Sequence, residues 1–334
     1  MEQEYKYMVV TRCFTFNHAS YIVDAMNGFT MQETTFPVIT LIVDDASTDG
    51  EPEVIKEYLA DHFQTPYRIE ETDDYHLICT NHNTNPNCTF VVLLLKYNHY
   101  SIKKSKFPYL TEWLDNAKYH ALCEGDDWWI DSGKLQKQVV AMEKNEDVGL
   151  VYGIAKQYIE RDTQYGSNIG QKINQKEDLI YSNCIPTLTV MYRSGLEKGF
   201  DRVRKPEWRM GDYPLWMWIV FRSSCEFINE PLGVYRVLET SASHHKELSP
   251  RIEFQKSAYD IQCFFSNYFN IGDLSKLYDN HISTLFDLSF IHGDSVRMRH
   301  YYNNIKKKSI EQRIKMLINS QSILRRIYDK KKLN

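Results

Sequence analysis

Residues 36–50 read FPVITLIVDDASTDG: an apolar run from Phe36 to Val43, the acid pair Asp44-Asp45, then the turn formers Ser47, Thr48, Asp49 and Gly50. Hydrophobicity that is continuous rather than alternating marks a strand covered on both faces, as in a parallel sheet. Upstream, Tyr7 to Phe16 is a β-prone run, and Ser20 is placed to cap a helix whose Ile22, Met26 and Phe29 recur at helical spacing. These segments predict a β–α–β unit. Downstream, Val54, Ile55, Tyr58 and Leu59 fall on one side of a second helix.

Farther along, Thr89 to Leu95 and Tyr119 to Cys123 read as strands, while the stretch from Asp61 to the Asn-rich loop at Asn81–Asn87 carries no clear period. Asp131 or Ser132 is set to cap a helix with Leu135, Val139 and Met142 on one face. Val148 to Ile154, Thr187 to Tyr192 and Glu226 to Val237 are further strands, with a polar turn region near Gly166–Lys176 and a Trp-rich helix around Asp212–Phe221. Beyond His245 the pattern turns helical: Ile252–Phe269, Leu274–Ile291 and Ile310–Tyr328. The expectation is an α/β domain over residues 1–245, with a Rossmann-like, mostly parallel sheet flanked by helices, and a C-terminal helical appendage over 246–334.

Composition narrows the class. With 43% hydrophobic and 25% charged residues in 334, the chain reads as a folded globule rather than a disordered or collagenous one. Seven cysteines, no two closer than nine positions, make neither a disulfide framework nor a CxxC zinc site, which suits a reducing cytoplasm. The start MEQEYKYMVV does not read as a secretory signal, and no apolar run nears the roughly 20 residues that span a bilayer. Net charge is −4, yet Tyr301–Asn334 holds ten Lys/Arg against two acids, a local +8 that leaves −12 on the first 300 residues. An acidic body is unsuited to coating nucleic acid, whereas a basic end suits an anionic surface.

Two acid clusters follow predicted parallel strands, where ligands of open α/β sheets bind. Asp44-Asp45 alone reads equally as a cap of the next helix or as an acceptor for a base or sugar. Glu124-Gly125-Asp126-Asp127 is more demanding, because three acids in four residues repel unless a cation or a donor-rich ligand intervenes. Oxygen ligands of this kind suit Mg²⁺ or Mn²⁺, which bind through a carboxylate or two plus substrate phosphates; a solvated turn before the next helix is the plain alternative. No GxGxxG or GxxxxGK[ST] phosphate loop occurs.

Cys13-Phe14-Thr15-Phe16-Asn17 with Tyr21-Ile22, then Gln32, Val43-Asp44-Asp45-Ala46-Ser47-Thr48-Asp49, and Glu124-Gly125-Asp126-Asp127-Trp128-Trp129 with Lys134-Leu135 resemble, in order and spacing, the family-2 glycosyltransferases of GT-A fold. Gly211-Asp212-Tyr213-Pro214-Leu215-Trp216 looks like the family's ED-type motif, and Leu232-Gly233-Val234-Tyr235-Arg236 with Ser241 and Ser243 like the strand and loop that follow. The resemblance covers about residues 7 to 245. It implies transfer of a sugar from a nucleotide diphosphate sugar, UDP most commonly, with inversion and a divalent cation, Mn²⁺ or Mg²⁺. By position it implies a nucleotide-sugar site of Thr15, Phe16, Asp45, Glu124 and Asp127, with Phe16 facing the base, Asp45 hydrogen-bonding it and Glu124 at the ribose. Asp126 would hold the metal and Asp212 would be the general base. Phe14, Glu124 and Gly125 depart from the family's commoner residues.

The chemistry asks for the same minimum: a carboxylate to take the acceptor proton and a cation for the leaving diphosphate. Asp212 also reads as a helix N-cap ahead of Pro214. Trp129, Tyr235 and Arg236 are candidates for acceptor or loop contacts, and Trp128, Trp129, Trp208 and Trp216 for a sugar face, with packing the commoner role of such aromatics. Arg236 and Lys103-Lys104 are candidate phosphate contacts and His244-His245 a candidate metal ligand, each set against a side chain that simply meets solvent. Ile310, Ile314, Leu317 and Leu324 share a helical face ringed by Lys and Arg, the pattern of a helix lying on a membrane surface or, equally, of one packed on the catalytic domain with a solvated basic side. The expected partners are a nucleotide-sugar donor and a glycan or lipid-linked acceptor, in the cytoplasm or at the inner face of the membrane through residues 301–334, in surface polysaccharide assembly. A sugar nucleotidyltransferase and a noncatalytic binding module are the rival readings.

Overall fold

The computed structural model describes residues 5–238 and 247–321. Eleven strands form one sheet: β1 (Tyr7–Thr15), β2 (Val38–Asp44), β3 (Arg68–Glu71), β4 (Tyr75–Asn81), β5 (Cys88–Leu95), β6 (Ala117–Leu122), β7 (Trp128–Trp129), β8 (Val148–Ile159), β9 (Gln164–Ile169), β10 (Met191–Arg193) and β11 (Ser224–Val237). Their order is β3-β4-β5-β2-β1-β6-β10-β8-β11-β7, with β9 paired to β8. The centre, β5-β2-β1-β6, is parallel; the β3-β4 flank is antiparallel and the flank beyond β6 is mixed. Every residue of β2 is buried, as its unbroken apolar run requires.

The two faces of the sheet bury separate clusters. Val9 and Cys13 of β1 and Ile42 of β2 face the helices Ile22–Thr30, Glu51–His62 and Lys134–Lys144, through Met26, Phe29, Ile55, Leu59, Leu135 and Met142. Val10, Leu41 and Val43, one residue out of phase, pack with Trp113 and Leu114 on the other side. This alternation within an apolar strand is what a doubly covered sheet produces.

Several local expectations are corrected. Ser20 does not cap the first helix, which begins at Ile22 after Tyr21 without a side-chain cap. The unplaced stretch after Asp61 is an antiparallel edge, β3-β4-β5, joined by the register Arg68↔Cys79 and Tyr75↔Leu95. Thr187–Thr189 is a 3₁₀ turn ahead of the short β10, and the start of the expected turn region Gly166–Lys176 lies in the strand β9 (Gln164–Ile169).

The chain forms two compact units. The first comprises Met1–Lys176, Asn183–Asp201 and Trp218–Val237 and contains the whole sheet. The second comprises Glu177–Ser182, Arg202–Met217 and Leu238–Asn334. It contains the helices Leu248–Phe269, Leu274–Ile291, Ser295–Asn304 and Ile310–Ser320. Phe286, Phe290, Met298 and Ile305 pack together there, and Ser309 with Gln312 closes a capping box on the last helix. Ser241, Ser243, His244, His245 and Leu324 lie outside the described residues.

Candidate active site

β2 and β6 flank β1 on opposite sides, so the strand order reverses at β1 and the carboxyl ends of the three strands open on a crevice. Pairing runs past the strands themselves: Asp45 N–H donates to Thr15 O at 3.0 Å, Gly125 N–H to Phe14 O at 3.2 Å and Cys123 N–H to Arg12 O at 3.1 Å. Asn17 and Ala46 take left-handed backbone conformations, φ 56° and 62°, where the two loops leave the sheet.

Glu51 ties these loops together. Fully buried at the start of its helix, it accepts from the Thr15 hydroxyl, from His18 N–H at 2.8 Å and from the Ser47 hydroxyl at 2.9 Å. Asn17 Oδ1 accepts from Thr48 N–H at 2.8 Å, and Asp49 from Ala19 N–H at 2.9 Å. Gly125 closes over this knot: a Cβ there would stand 2.1 Å from Thr15 Oγ1 and 2.6 Å from Thr15 Cβ. The glycine within the acidic turn is therefore demanded by Thr15.

Asp45 is enclosed by its own chain. Its Oδ1 accepts from His99 N–H at 2.8 Å and its Oδ2 from Tyr100 N–H at 3.1 Å, with Lys106 Nζ at 2.8 Å from Oδ2. Lys106 also lies over the Phe14 ring, which meets Phe107 edge-on at 5.9 Å. Asp44, beside it, is buried, with Oδ2 accepting from Ser47 N–H at 3.1 Å and Oδ1 without a hydrogen bond; burial pushes its carboxyl up to about 6.

The second acidic end is crowded instead. Glu124 is exposed, Asp126 half-buried and Asp127 buried. Asp127 Oδ1 accepts from Arg236 N–H at 2.8 Å, while burial and then the neighbouring Asp126 hold its carboxyl well above the usual range. His18 Nε2 lies 4.0 Å from Asp126 Oδ2. The Arg236 guanidinium, 4% exposed, donates to Glu160, to Asp24 at 2.6 Å and to Asp126 O at 2.8 Å, and is stacked between Tyr21 and Trp128. Its charge is thus engaged inside the protein. Among the described residues no group of three His, Cys, Asp or Glu side chains is arranged to hold a metal alone. Asp126, with water and a ligand's phosphates completing the shell, matches how Mg²⁺ or Mn²⁺ is usually held.

The other candidates are placed as follows. Phe16 is 42% exposed at the mouth of the loops. Trp129 is 1% exposed, donates its indole N–H to Leu188 O at 2.7 Å and carries Lys134 Nζ over its ring at 4.0 Å, so no ligand can lie on it. Gln32 bridges Gly28 O and Asp131 O, a packing role. Tyr235 is half-buried against the core. Lys104 pairs with Asp74 at 3.0 Å. Asp212 opens the helix Asp212–Val220, its Oδ1 accepting from Tyr213 N–H at 2.7 Å; it is half-buried and belongs to the second unit. Sequence reasoning missed Glu51 and Lys106. A first-turn acid reads as dipole complement, and Lys106 lies 61 positions from its partner.

No protein-family model matches the chain. Over 182 residues it is 30% identical to the uncharacterized protein Rv1520 of Mycobacterium tuberculosis, and equally to the uncharacterized protein Mb1547 of Mycobacterium bovis. Each alignment covers 54% of this chain and 45% of the relative, so the chain spans about half the length of the curated relatives it matches. Among solved structures, S. aureus TarS (residues 1–349) in complex with UDP-GlcNAc superposes at TM-score 0.50 and 14% identity, over 93% of this chain and 79% of that one. The mannosyltransferase PcManGT from Pyrobaculum calidifontis, in complex with GDP-Man and Mn²⁺, superposes at TM-score 0.50 and 12% identity, over 96% and 83%. At these identities the likeness is one of fold, and the fold is GT-A.

Proposed function

We propose that this chain is a metal-dependent, inverting glycosyltransferase of the family-2 kind, moving a sugar from a nucleotide diphosphate sugar to a hydroxyl of a glycan or lipid-linked acceptor in surface polysaccharide assembly. One observation carries the reading: at the carboxyl end of β6 the buried Asp127 stands beside Asp126, and the buried guanidinium that reaches them is already ion-paired to Asp24 and Glu160. Such a turn is relieved by a cation brought with an anionic ligand. The structural neighbours add support, since TarS binds UDP-GlcNAc and PcManGT binds GDP-Man with Mn²⁺.

In this reading Asp126 would hold Mn²⁺ or Mg²⁺, and the cation would supply Lewis-acid neutralisation of the diphosphate leaving group. Thr15, Phe16, Glu124 and Asp127 border the nucleotide sugar. Asp45, saturated by His99, Tyr100 and Lys106, shapes the base pocket by fixing residues 98–106 against the strand ends. Asp212 takes the proton of the acceptor hydroxyl as that oxygen attacks the anomeric carbon from the face opposite the diphosphate, which inverts the centre.

Asp212→Asn is the test. Donor binding by calorimetry should persist, while transfer falls on the order of 100-fold or more; unchanged turnover would remove Asp212 from the mechanism. A nucleotidyltransferase would instead release pyrophosphate from a nucleoside triphosphate and sugar phosphate.

The C-terminal helix supports a peripheral membrane role at the inner face of the membrane. No described helix is long and apolar enough to cross a bilayer. Ile310, Ile314 and Leu317 are 78%, 52% and 53% exposed on one face, preceded by Lys306, Lys307 and Lys308. A chain ending at Ser309 should lose co-sedimentation with anionic liposomes; equal sedimentation would refute the contact.

A further inference from the structure

We propose that the second unit carries a saccharide-binding cleft, between residues 205–208 and the outer face of the helix Leu248–Phe269, that receives the sugar acceptor. Only its assignment to the acceptor rests on the glycosyltransferase reading; the saccharide site stands on the cleft itself. The cleft encloses about 540 Å³, inside the roughly 300–1,000 Å³ usual for small-molecule sites.

Asp260, Phe264, Asn267 and Tyr268 fall at i, i+4, i+7 and i+8, one face of the helix. The helix buries Ile252, Ile261 and Phe265 elsewhere. The opposite wall holds Trp208, fixed beside the helix by Arg209 N–H donating to Ser257 Oγ at 2.8 Å. Trp208 meets Phe264 edge-on at 5.3 Å, and Phe264 stacks with Tyr268 at 5.7 Å, making an aromatic shelf whose outer ring, Tyr268, is 52% exposed. The exposed Asp260 carboxylate and Asn267 carboxamide line the same cleft and make no side-chain hydrogen bond among the described residues. Lys205 Nζ lies 5.0 Å from the centre of the Phe264 ring.

These groups select a ligand class. An apolar molecule would strip water from Asp260, Asn267 and Lys205 without replacing its hydrogen bonds. An anion would meet Asp260 and Glu207. A neutral pyranose offers an apolar C–H face to the shelf and a rim of hydroxyls that both donate and accept, matching a carboxylate, a carboxamide and an ammonium at once. The Lys205 ammonium stands at this rim as a donor for a hydroxyl. Trp208 stands four residues before Asp212 in the same unit, so acceptor and general base belong to one body.

Saturation-transfer NMR on the full chain, without donor or metal, tests this with methyl β-glucopyranoside, methyl N-acetyl-β-glucosaminide, methyl α-mannopyranoside and their disaccharides at millimolar concentration. At least one should receive saturation, strongest at its ring C–H protons. Tyr268→Ala should weaken its affinity about three- to tenfold and Asn267→Ala comparably, while Tyr268→Phe and Asp126→Asn leave it unchanged. No transfer to any of these saccharides, or transfer indifferent to Tyr268→Ala and Asn267→Ala, overturns the cleft. Saccharide binding together with full turnover by Asp212→Asn would instead overturn the catalytic assignment and leave the cleft standing.

Discussion

At the end of β2, Asp45 is enclosed by two backbone N–H groups and the Lys106 ammonium; at the end of β6, Glu124, Asp126 and Asp127 stand together while the guanidinium that reaches them holds Asp24 and Glu160. The two ends border one crevice on either side of β1, yet their electrostatic states are opposite. A saturated carboxylate fixes structure. A surplus of carboxylates is a standing demand for a cation, and the two behaviours can be separated by substitution.

The largest effect is expected at Arg236. Arg236→Met removes three charge-assisted hydrogen bonds and the guanidinium facing the buried Asp127; because Asp24 and Glu160 keep solvent, the cost is about 3 kcal/mol rather than that of a wholly buried pair. Urea midpoints should report it, and Arg236→Lys should restore less than half, because a single ammonium cannot reach both carboxylates and stack between Tyr21 and Trp128. Near-normal stability in Arg236→Met would show the turn to be balanced by other means.

Asp44 is next. Its carboxyl, raised by burial to about 6 from 3.8, favours the proton in the folded state. Its contribution to stability is therefore complete below about pH 4 and is lost as pH rises through 6, by roughly 2–3 kcal/mol. Asp44→Asn should gain on the wild type across that window, with the difference in urea stability growing from pH 4 to 7. A constant difference would mean that the carboxylate finds a partner in solution.

Lys106→Met sharpens the reading of Asp45. If the ammonium anchors residues 98–106, its loss should cost about 1–2 kcal/mol, below the cost of a fully buried pair because Lys106 keeps some solvent. A domain of this size would melt roughly 2–4 °C lower per kcal/mol. An unchanged melting temperature with weakened nucleotide binding would make Lys106 a ligand group instead.

How far the sequence reached follows the same division. Continuous apolar strands at 38–43 and 89–95 declared a doubly covered parallel sheet, because burial on both faces leaves no alternation to hide. The edge at 68–81 stayed obscure: β3 alternates half-buried and exposed positions over only four residues. The acidic ends were legible because carboxylates after a buried strand are local in sequence. Their opposite electrostatic states were not, since they depend on Lys106, Arg236 and Glu51, which reach the crevice from 36 to more than 100 positions away. Trp129, marked as a possible sugar platform, is a core residue because Gly28 lets the first helix approach its backbone, at 2.8 Å from where a Cβ would sit.

The smallest expected effect separates surplus charge from structure most directly. Asp127 is buried beside Asp126, and its carboxylate accepts from Arg236 N–H at 2.8 Å. An amide oxygen accepts that bond equally well, so Asp127→Asn keeps the contact and removes a carboxyl whose ionisation burial and Asp126 oppose. The metal-free protein should therefore become more stable, by about 1 kcal/mol, seen as a rise of roughly 2–4 °C in melting temperature. Added Mn²⁺ with UDP or GDP should raise the melting temperature of the wild type, and of Asp127→Asn by less, because part of the repulsion the cation relieves has already gone. If Asp127→Asn melts lower without metal and gains as much from Mn²⁺ as the wild type, then Asp127 serves the turn as a hydrogen-bond acceptor, and the demand for a cation arises from Asp126 and Glu124 alone.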